Sequence, residues 1–357
     1  MDDMQQETFG ARPMRRRGFL AAAAGSVAAM AGGGLLAACG SSTTSSSTPK
    51  GPATVGLQFN YLKTVQFAGS FMAAEKGFYQ AGGLSVNLMA GGPNLAVEPV
   101  VASGKALVGI SHTAEAVNAI VNGADLKIIG AGYQKNPFCI VSTAAKPISA
   151  PHDMIGKKIG VSATNLPVWQ AFLKANGIAE SQIKVVTIQF DPTPLASGEV
   201  DGFMAFYTNE PIILELKGIA VKTLLFDDFG YPLLEDVYIT KSASLQDAGK
   251  RKQVVALMKA EAQGWAAAVA DPAAAATLAV TKYGAALKLD QNQQVRDARA
   301  QNALVTGPDT QAHGLLWMTP EKIAATVKSL SLGGSKATAA MFTTEVLQDV
   351  YQGKAAV

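Results

Sequence analysis

The chain has 357 residues, 48 % of them hydrophobic and 16 % charged, with a formal net charge of +3. That length can bury a large core divided between two lobes, and a charge this close to neutral gives no reason to expect nucleic acid. With only Cys39 and Cys139 present, a disulfide framework is excluded.

In chain order, the first feature is "RRRGFLAAAAGSVAAMAGGGLLAACGSS". A basic start, an apolar Ala/Gly stretch and a small-residue cleavage site read as an export signal over 1–38. Arg16-Arg17-Gly18-Phe19-Leu20 resembles a twin-arginine motif, and Leu36-Ala37-Ala38-Cys39 resembles a lipobox. Cys39 is then the lipidated first residue of the mature chain. Each buried acyl methylene contributes about 0.8 kcal/mol, so two or more chains hold a soluble domain at the outer face of the membrane. Residues 39–53, rich in Ser and Thr, form a flexible tether.

From residue 54, short β-rich runs alternate with helical stretches. Strands are expected at 54–59, 84–89, 106–111 and 126–132, with helices at 66–79, 94–103 and 113–122 between them. After the "FCIVST" run at 138–143 the alternation repeats: strands at 157–162, 183–189, 200–206 and 221–226, helices at 166–175, 192–198 and 210–217. A further run, "DVYIT", spans 236–240, and the chain from 242 to 354 reads as Ala-rich helix. This is the pattern of mainly parallel, helix-covered sheets. Lobe 1 is assigned to 54–140 plus about 242–357 and lobe 2 to about 141–241, with extended crossings near 139–145 and 236–241.

Segments 103–129 and 197–224 share one order of features: Ser-Gly, strand, polar cluster, acidic residue, helix, Gly, strand. Glu115 falls opposite Glu210 and Gly123 opposite Gly218, as two related lobes would require. Ligands of open α/β sheets sit beyond the carboxyl ends of strands, and the polar clusters of this chain fall there. No catalytic constellation accompanies them. The histidines 112, 152 and 313 have no metal-ligand spacing, and His112 reads as a polar loop residue. No P-loop, dinucleotide fingerprint or Gly-x-Ser-x-Gly elbow is present. Neither a cofactor nor a metal is expected. Asn136, Asn165, Asn209 and Asp191 can each be explained as helix caps.

Arginine is the sharper clue. None occurs between Arg17 and Arg251, the interval that holds every strand and cleft loop. Arg is the usual bidentate clamp for carboxylate, sulfonate or phosphate. Strand-end loops carrying Tyr, Trp, Asn, Gln and Glu instead suit a flat, nitrogen-bearing ligand with little negative charge. Stacking contributes about 0.5–1.5 kcal/mol per aromatic pair.

At these residues the chain resembles a known family, the lipid-anchored solute-binding proteins of ABC importers. The matching stretches are Leu57–Tyr61, "AAEKGFYQAGGLSVNL", "VASGKALVGIS", "IGKKIGV", "GEVDGFMAFYTNEP" and "ILELKGI". They are most similar to the branch binding thiamine-type pyrimidine precursors and riboflavin, related to nitrate-, sulfonate- and taurine-binding members. The resemblance implies an α/β, two-lobed periplasmic-binding-protein fold of type II with a helical C-terminal tail. It implies a monomer that captures a nitrogen heteroaromatic, foremost an aminopyrimidine, and delivers it to a permease and its ATPase. Riboflavin, or an aliphatic sulfonate, taurine or nitrate, is the alternative ligand. By position, Tyr61, Gln66, Ser111 and Gln134 would line one wall of the cleft. Thr164, Asn165, Trp169, Tyr207, Asn209, Glu210 and Tyr231 would line the other. Relatives that synthesise a pyrimidine use a Cys-rich motif missing here, so catalysis is the distant alternative and the protein is expected not to be an enzyme.

Overall fold

The computed structural model describes residues 51–357 apart from 93, 94 and 190 and the side chain of Thr164. The export signal, the lipidated Cys39 and the tether as far as residue 50 lie outside the described residues. Among the described residues, no helix is long and apolar enough to cross a membrane.

Among the described residues, ten strands make two five-stranded sheets. β1 (Ala53–Gln58), β2 (Leu84–Met89), β3 (Val108–Ser111), β4 (Leu126–Tyr133) and β10 (Glu235–Lys241) form the first, in the order β2-β1-β3-β10-β4. β5 (Phe138–Thr143), β6 (Lys158–Ser162), β7 (Lys184–Ile188), β8 (Gly202–Phe206) and β9 (Val221–Leu225) form the second, in the order β7-β6-β8-β5-β9. β1 runs parallel to β2 and β3, and β6 parallel to β7 and β8; β10 and β5 are inserted antiparallel. Both sheets thus have one topology, that of the two-lobed periplasmic-binding-protein fold.

The internal echo has a backbone counterpart. Gly104 and Gly198, which precede β3 and β8, have φ of 79° and 78°. Gly123 and Gly218, which end the following helices, have φ of 96° and 79°. Each helix terminates in a left-handed residue that glycine adopts without a Cβ clash, so the two segments turn at equivalent places.

The crossings are not where the sequence placed them. "FCIVST" and "DVYIT" lie in β5 and β10, buried inside the second and first sheets. The chain passes between sheets at 134–137 and 226–234 instead, which moves both lobe boundaries. An apolar run buried on both faces looks the same whether it crosses or pairs; its neighbours decide. Asn136 joins the two crossings: its amide donates to Tyr231 O at 2.9 Å and its Oδ1 accepts from Phe138 N at 3.0 Å.

The Ala-rich segment after β10 packs mainly on the first sheet. The Ala248–Ala270 helix crosses the Ala68–Glu75 helix so closely that a Cβ on Gly264 would lie 2.0 Å from Gly69 O. The C-terminal segment also reaches the second lobe through later helices. Arg296 pairs with Glu215, and Leu332 packs against the core built around Trp169 and the stacked Phe172–Phe226 rings.

Candidate functional site

A cavity of about 350 Å³ opens between the carboxyl ends of the two sets of parallel strands. The first lobe contributes Asn60, Tyr61 and Gln66 from the loop after β1, and His112 and Glu115 after β3. The second contributes Phe138, Asn165, Phe206, Thr208, Asn209 and Glu210. A third wall comes from the Gln291–Val305 helix, with Gln293, Gln294, Asp297 and Gln301. The echoed acids Glu115 and Glu210 therefore face one cavity from opposite lobes.

β8 ends at Phe206, and the chain turns back so that Glu210 Oε2 accepts the Phe206 N–H at 2.8 Å. Asn209 does not cap its helix. Its amide donates to Glu210 Oε1 at 3.3 Å, while its Oδ1 accepts from Gln293 Nε2 at 3.2 Å across the cleft. Asn165 makes no side-chain cap either, whereas Asp191 Oδ1 accepts from Thr193 N at 3.0 Å. Burial pushes the Glu210 carboxyl up to about 7, against the opposing backbone and Asn209 hydrogen bonds. Burial, and then the Glu210 charge, raises the Tyr61 phenol in the facing lobe.

Beneath the first-lobe wall lie Glu235 and Asp236. Asp236 accepts from Asn60 Nδ2 at 2.9 Å and Gln66 Nε2 at 3.0 Å, so both amides are held in place. His112 Nδ1 meets Glu235 Oε1 at 2.6 Å. Burial lowers the imidazole, but the hydrogen bond and charge of Glu235 outweigh it and carry His112 to about 9. Ligand atoms of His112, Glu235 and Asp236 lie within 4.8 Å of one another, close enough to hold a cation. In this structure those atoms bond to each other and to the Asn60 and Gln66 amides.

The cavity is acidic. Among the described residues, Glu115, Glu210 and Asp297 line it, no Lys or Arg does, and His112 is the basic group. Burial also raises Glu115, and carries Asp297 to about 8 with the Glu210 charge adding to it.

Of the residues expected at the site, the structure brings Tyr61, Gln66, Asn165, Asn209 and Glu210 together at this cavity. Ser111 is buried and donates to Glu98. Gln134 lines a separate groove with Asp227 and Lys322. Trp169 and Tyr231 are 0 % and 1 % exposed inside the second-lobe core. Tyr207 is half-buried against hydrophobic clusters of both lobes and does not reach the cavity wall. Thr164 lies outside the described side chains. Aromatic residues next to strand ends fit a ligand wall and a core equally well; the direction each side chain takes separates the two. His112, Glu115 and Thr208 are not among the residues the sequence assigns to the site, and neither is any part of the Gln291–Val305 helix. Its signal is Gln293, Asp297 and Gln301 at four-residue spacing, a polar stripe on one helix face.

The NMT1/THI5-like family profile matches residues 64–275, more than half of the chain and including most of both sheets. The chain belongs to the NMT1/THI5-like family. It is 28 % identical over 181 residues to the riboflavin-binding protein RibY of Chloroflexus aurantiacus, a match spanning 49 % of this chain and 51 % of RibY. The chain therefore spans about half the length of that relative. Its fold is similar to that of the aliphatic sulphonate binding protein SsuA from Escherichia coli. The TM-score is 0.59 at 14 % identity, covering 79 % of this chain and 86 % of SsuA. It is also similar to the desulfurization enzyme DSZB, with a TM-score of 0.53 at 14 % identity over 84 % of this chain and 98 % of DSZB. The NMT1/THI5-like fold of this chain is thus shared with proteins of different activity, and the cavity has to decide function.

Proposed function

We propose that this NMT1/THI5-like protein is the solute-binding component of an ABC importer and captures a nitrogen heteroaromatic, foremost a thiamine-type aminopyrimidine, between its lobes. The observation that carries the reading is a cavity whose described lining holds three carboxyl groups and no arginine. Three carboxyl groups and several side-chain amides face aromatic rings of Tyr61, Phe138 and Phe206. A flat ligand stacks on the rings, and its N–H groups donate to the carboxyl oxygens, each hydrogen bond contributing about 0.5–1.5 kcal/mol and about 1.5–3 kcal/mol where the carboxyl is ionised. A sulfonate or nitrate would instead meet three carboxyl groups and no Lys or Arg among the described lining residues.

Binding is favoured over turnover because, among the described residues, no Ser or Cys nucleophile lines the cavity beside His112. Cys139 is buried in the second sheet and away from the cavity wall. The export signal and lipobox support an extracytoplasmic site of action, with Cys39 as the lipid anchor and a permease with its ATPase as partners. A second reading, riboflavin, is favoured by the partial match to RibY.

A thermal-shift panel of the aminopyrimidine, riboflavin, taurine, an alkanesulfonate and nitrate tests this. At a hundred times Kd the correct solute stabilises the protein by about 2.7 kcal/mol, and Glu210→Gln weakens its binding at least tenfold. A shift with sulfonate or nitrate and none with either heterocycle would sink the ligand assignment.

A further inference from the structure

Asp297 is placed by the C-terminal segment, yet it stands at the centre of the cleft chemistry. It is 5 % exposed, and it lines the cavity. Its Oδ2 accepts from Gln294 Nε2 at 2.9 Å and Gln293 Nε2 at 3.4 Å. Its Oδ1 is buried and has no hydrogen-bond partner among the described residues. A buried acceptor left unmade is costly, and a charged one more so. The surrounding amides cannot relieve it. Gln294 is fixed end to end, because its Oε1 accepts from Val65 N at 2.8 Å while its Nε2 serves Oδ2. Gln301 Nε2 donates to Val65 O and its Oε1 accepts from Tyr133. Gln293 Nε2 is shared with Asn209 across the cleft. Arg296, the nearest cation in sequence, is paired with Glu215.

We propose that Asp297 Oδ1 accepts an N–H from the bound solute, so that the Gln291–Val305 helix sets specificity for a heterocycle carrying an amino group or a protonated ring nitrogen. This rests on the cavity being the solute site, and it adds a donor requirement that Glu210 alone does not impose. Glu210 already accepts from Phe206 N and Asn209, whereas Asp297 belongs to the cavity wall and its Oδ1 has no partner among the described residues. The carboxyl of each lobe then takes a donor of the same ligand, and the solute joins the lobes by bonding to both. Burial raises the Asp297 carboxyl to about 8, so a proton held on Oδ1 passes to a basic ring nitrogen on binding, and the resulting ring N–H donates back to Oδ1.

The surrounding geometry makes Asp297→Asn an inverting substitution. Gln293 and Gln294 present donors at the Oδ2 position, so an asparagine there must place its carbonyl oxygen toward them and its NH2 toward the ligand. Titration calorimetry of the wild type, Asp297→Asn and Asp297→Ala is run with 4-amino-5-hydroxymethyl-2-methylpyrimidine and with its desamino analogue. Removing the amino group removes both its N–H donors and the basicity of the ring. The amino probe is expected to lose about 10- to 100-fold in affinity with either variant. The desamino probe is expected to bind the wild type more weakly and to change less than about threefold between proteins. Should riboflavin be the compound captured, riboflavin and its N3-methyl analogue replace the pair. Thermal melts establish that each variant is folded, with Asp297→Ala carrying the comparison should Asp297→Asn not fold. Equal binding of the amino probe by wild type and variants overturns the role of Asp297 and leaves the proposed function standing. A wild type that binds only sulfonate or nitrate, or no heterocycle at all, overturns both.

Discussion

Glu210 illustrates how one side chain serves fold and site together. It closes the turn after β8 through Phe206 N, and it presents a carboxyl to a cavity faced by Glu115 and Asp297. Burial holds it near 7, above the 4.5 of an exposed glutamate. A carboxyl raised in the folded state contributes its stability in full below the unfolded value and loses it as pH rises through the folded one. The unliganded protein should therefore lose about 2–3 kcal/mol from this group between about pH 4.5 and pH 8. Glu210→Gln removes the titration, so the melting temperature of the wild type minus that of the variant should fall between pH 5 and pH 8. A difference that widens with pH would show instead that the folded protein prefers the charged form. "FYTNEP" was readable in the sequence as a polar cluster at a strand end. Its internal wiring was not, because Asn209 had capping as a sufficient explanation. The amide instead meets Glu210 and Gln293, the latter 84 residues away in sequence.

At the scale of elements, the strands were legible because each is a short apolar run bounded by turn residues. The expected run at 84–89 is β2, and "FCIVST" is β5. The C-terminal helices were legible as helices but not as a wall of the site. Alanine-rich periodicity reports a buried face and says nothing of which lobe covers it. The contact of the Ala248–Ala270 and Ala68–Glu75 helices depends on Gly264, whose added Cβ would strike the backbone of Gly69 and Ala73. Gly264→Ala gains about 1 kcal/mol in helix propensity but forces two helices apart, at about 1–3 kcal/mol or more. Because the contacting atoms are backbone, the second effect should dominate. Urea denaturation should show a net loss of about 1–2 kcal/mol; an unchanged or raised midpoint would mean that the helices separate without strain.

For the whole molecule, the two crossings define how the lobes are joined. Asn136 is fully buried between them and satisfies a backbone donor in one and a carbonyl in the other. Asn136→Ala leaves both unpaired and should cost at least about 2 kcal/mol, read as a lowered midpoint in urea; a loss below about 0.5 kcal/mol would mean that water replaces the amide freely. What the sequence determined by itself was local and repetitive. Strand and helix alternation, the echo of 103–129 in 197–224 with its left-handed glycines, and the lack of arginine from 18 to 250 all belong to single segments. Only the tertiary structure decided that β5 and β10 exchange sheets, that Trp169 and Tyr231 turn into the core, and that Asp297 enters the cleft from the chain's last third. Each of those depends on which way a side chain or strand edge faces once distant segments pack. Periodicity along one segment carries no information about that choice.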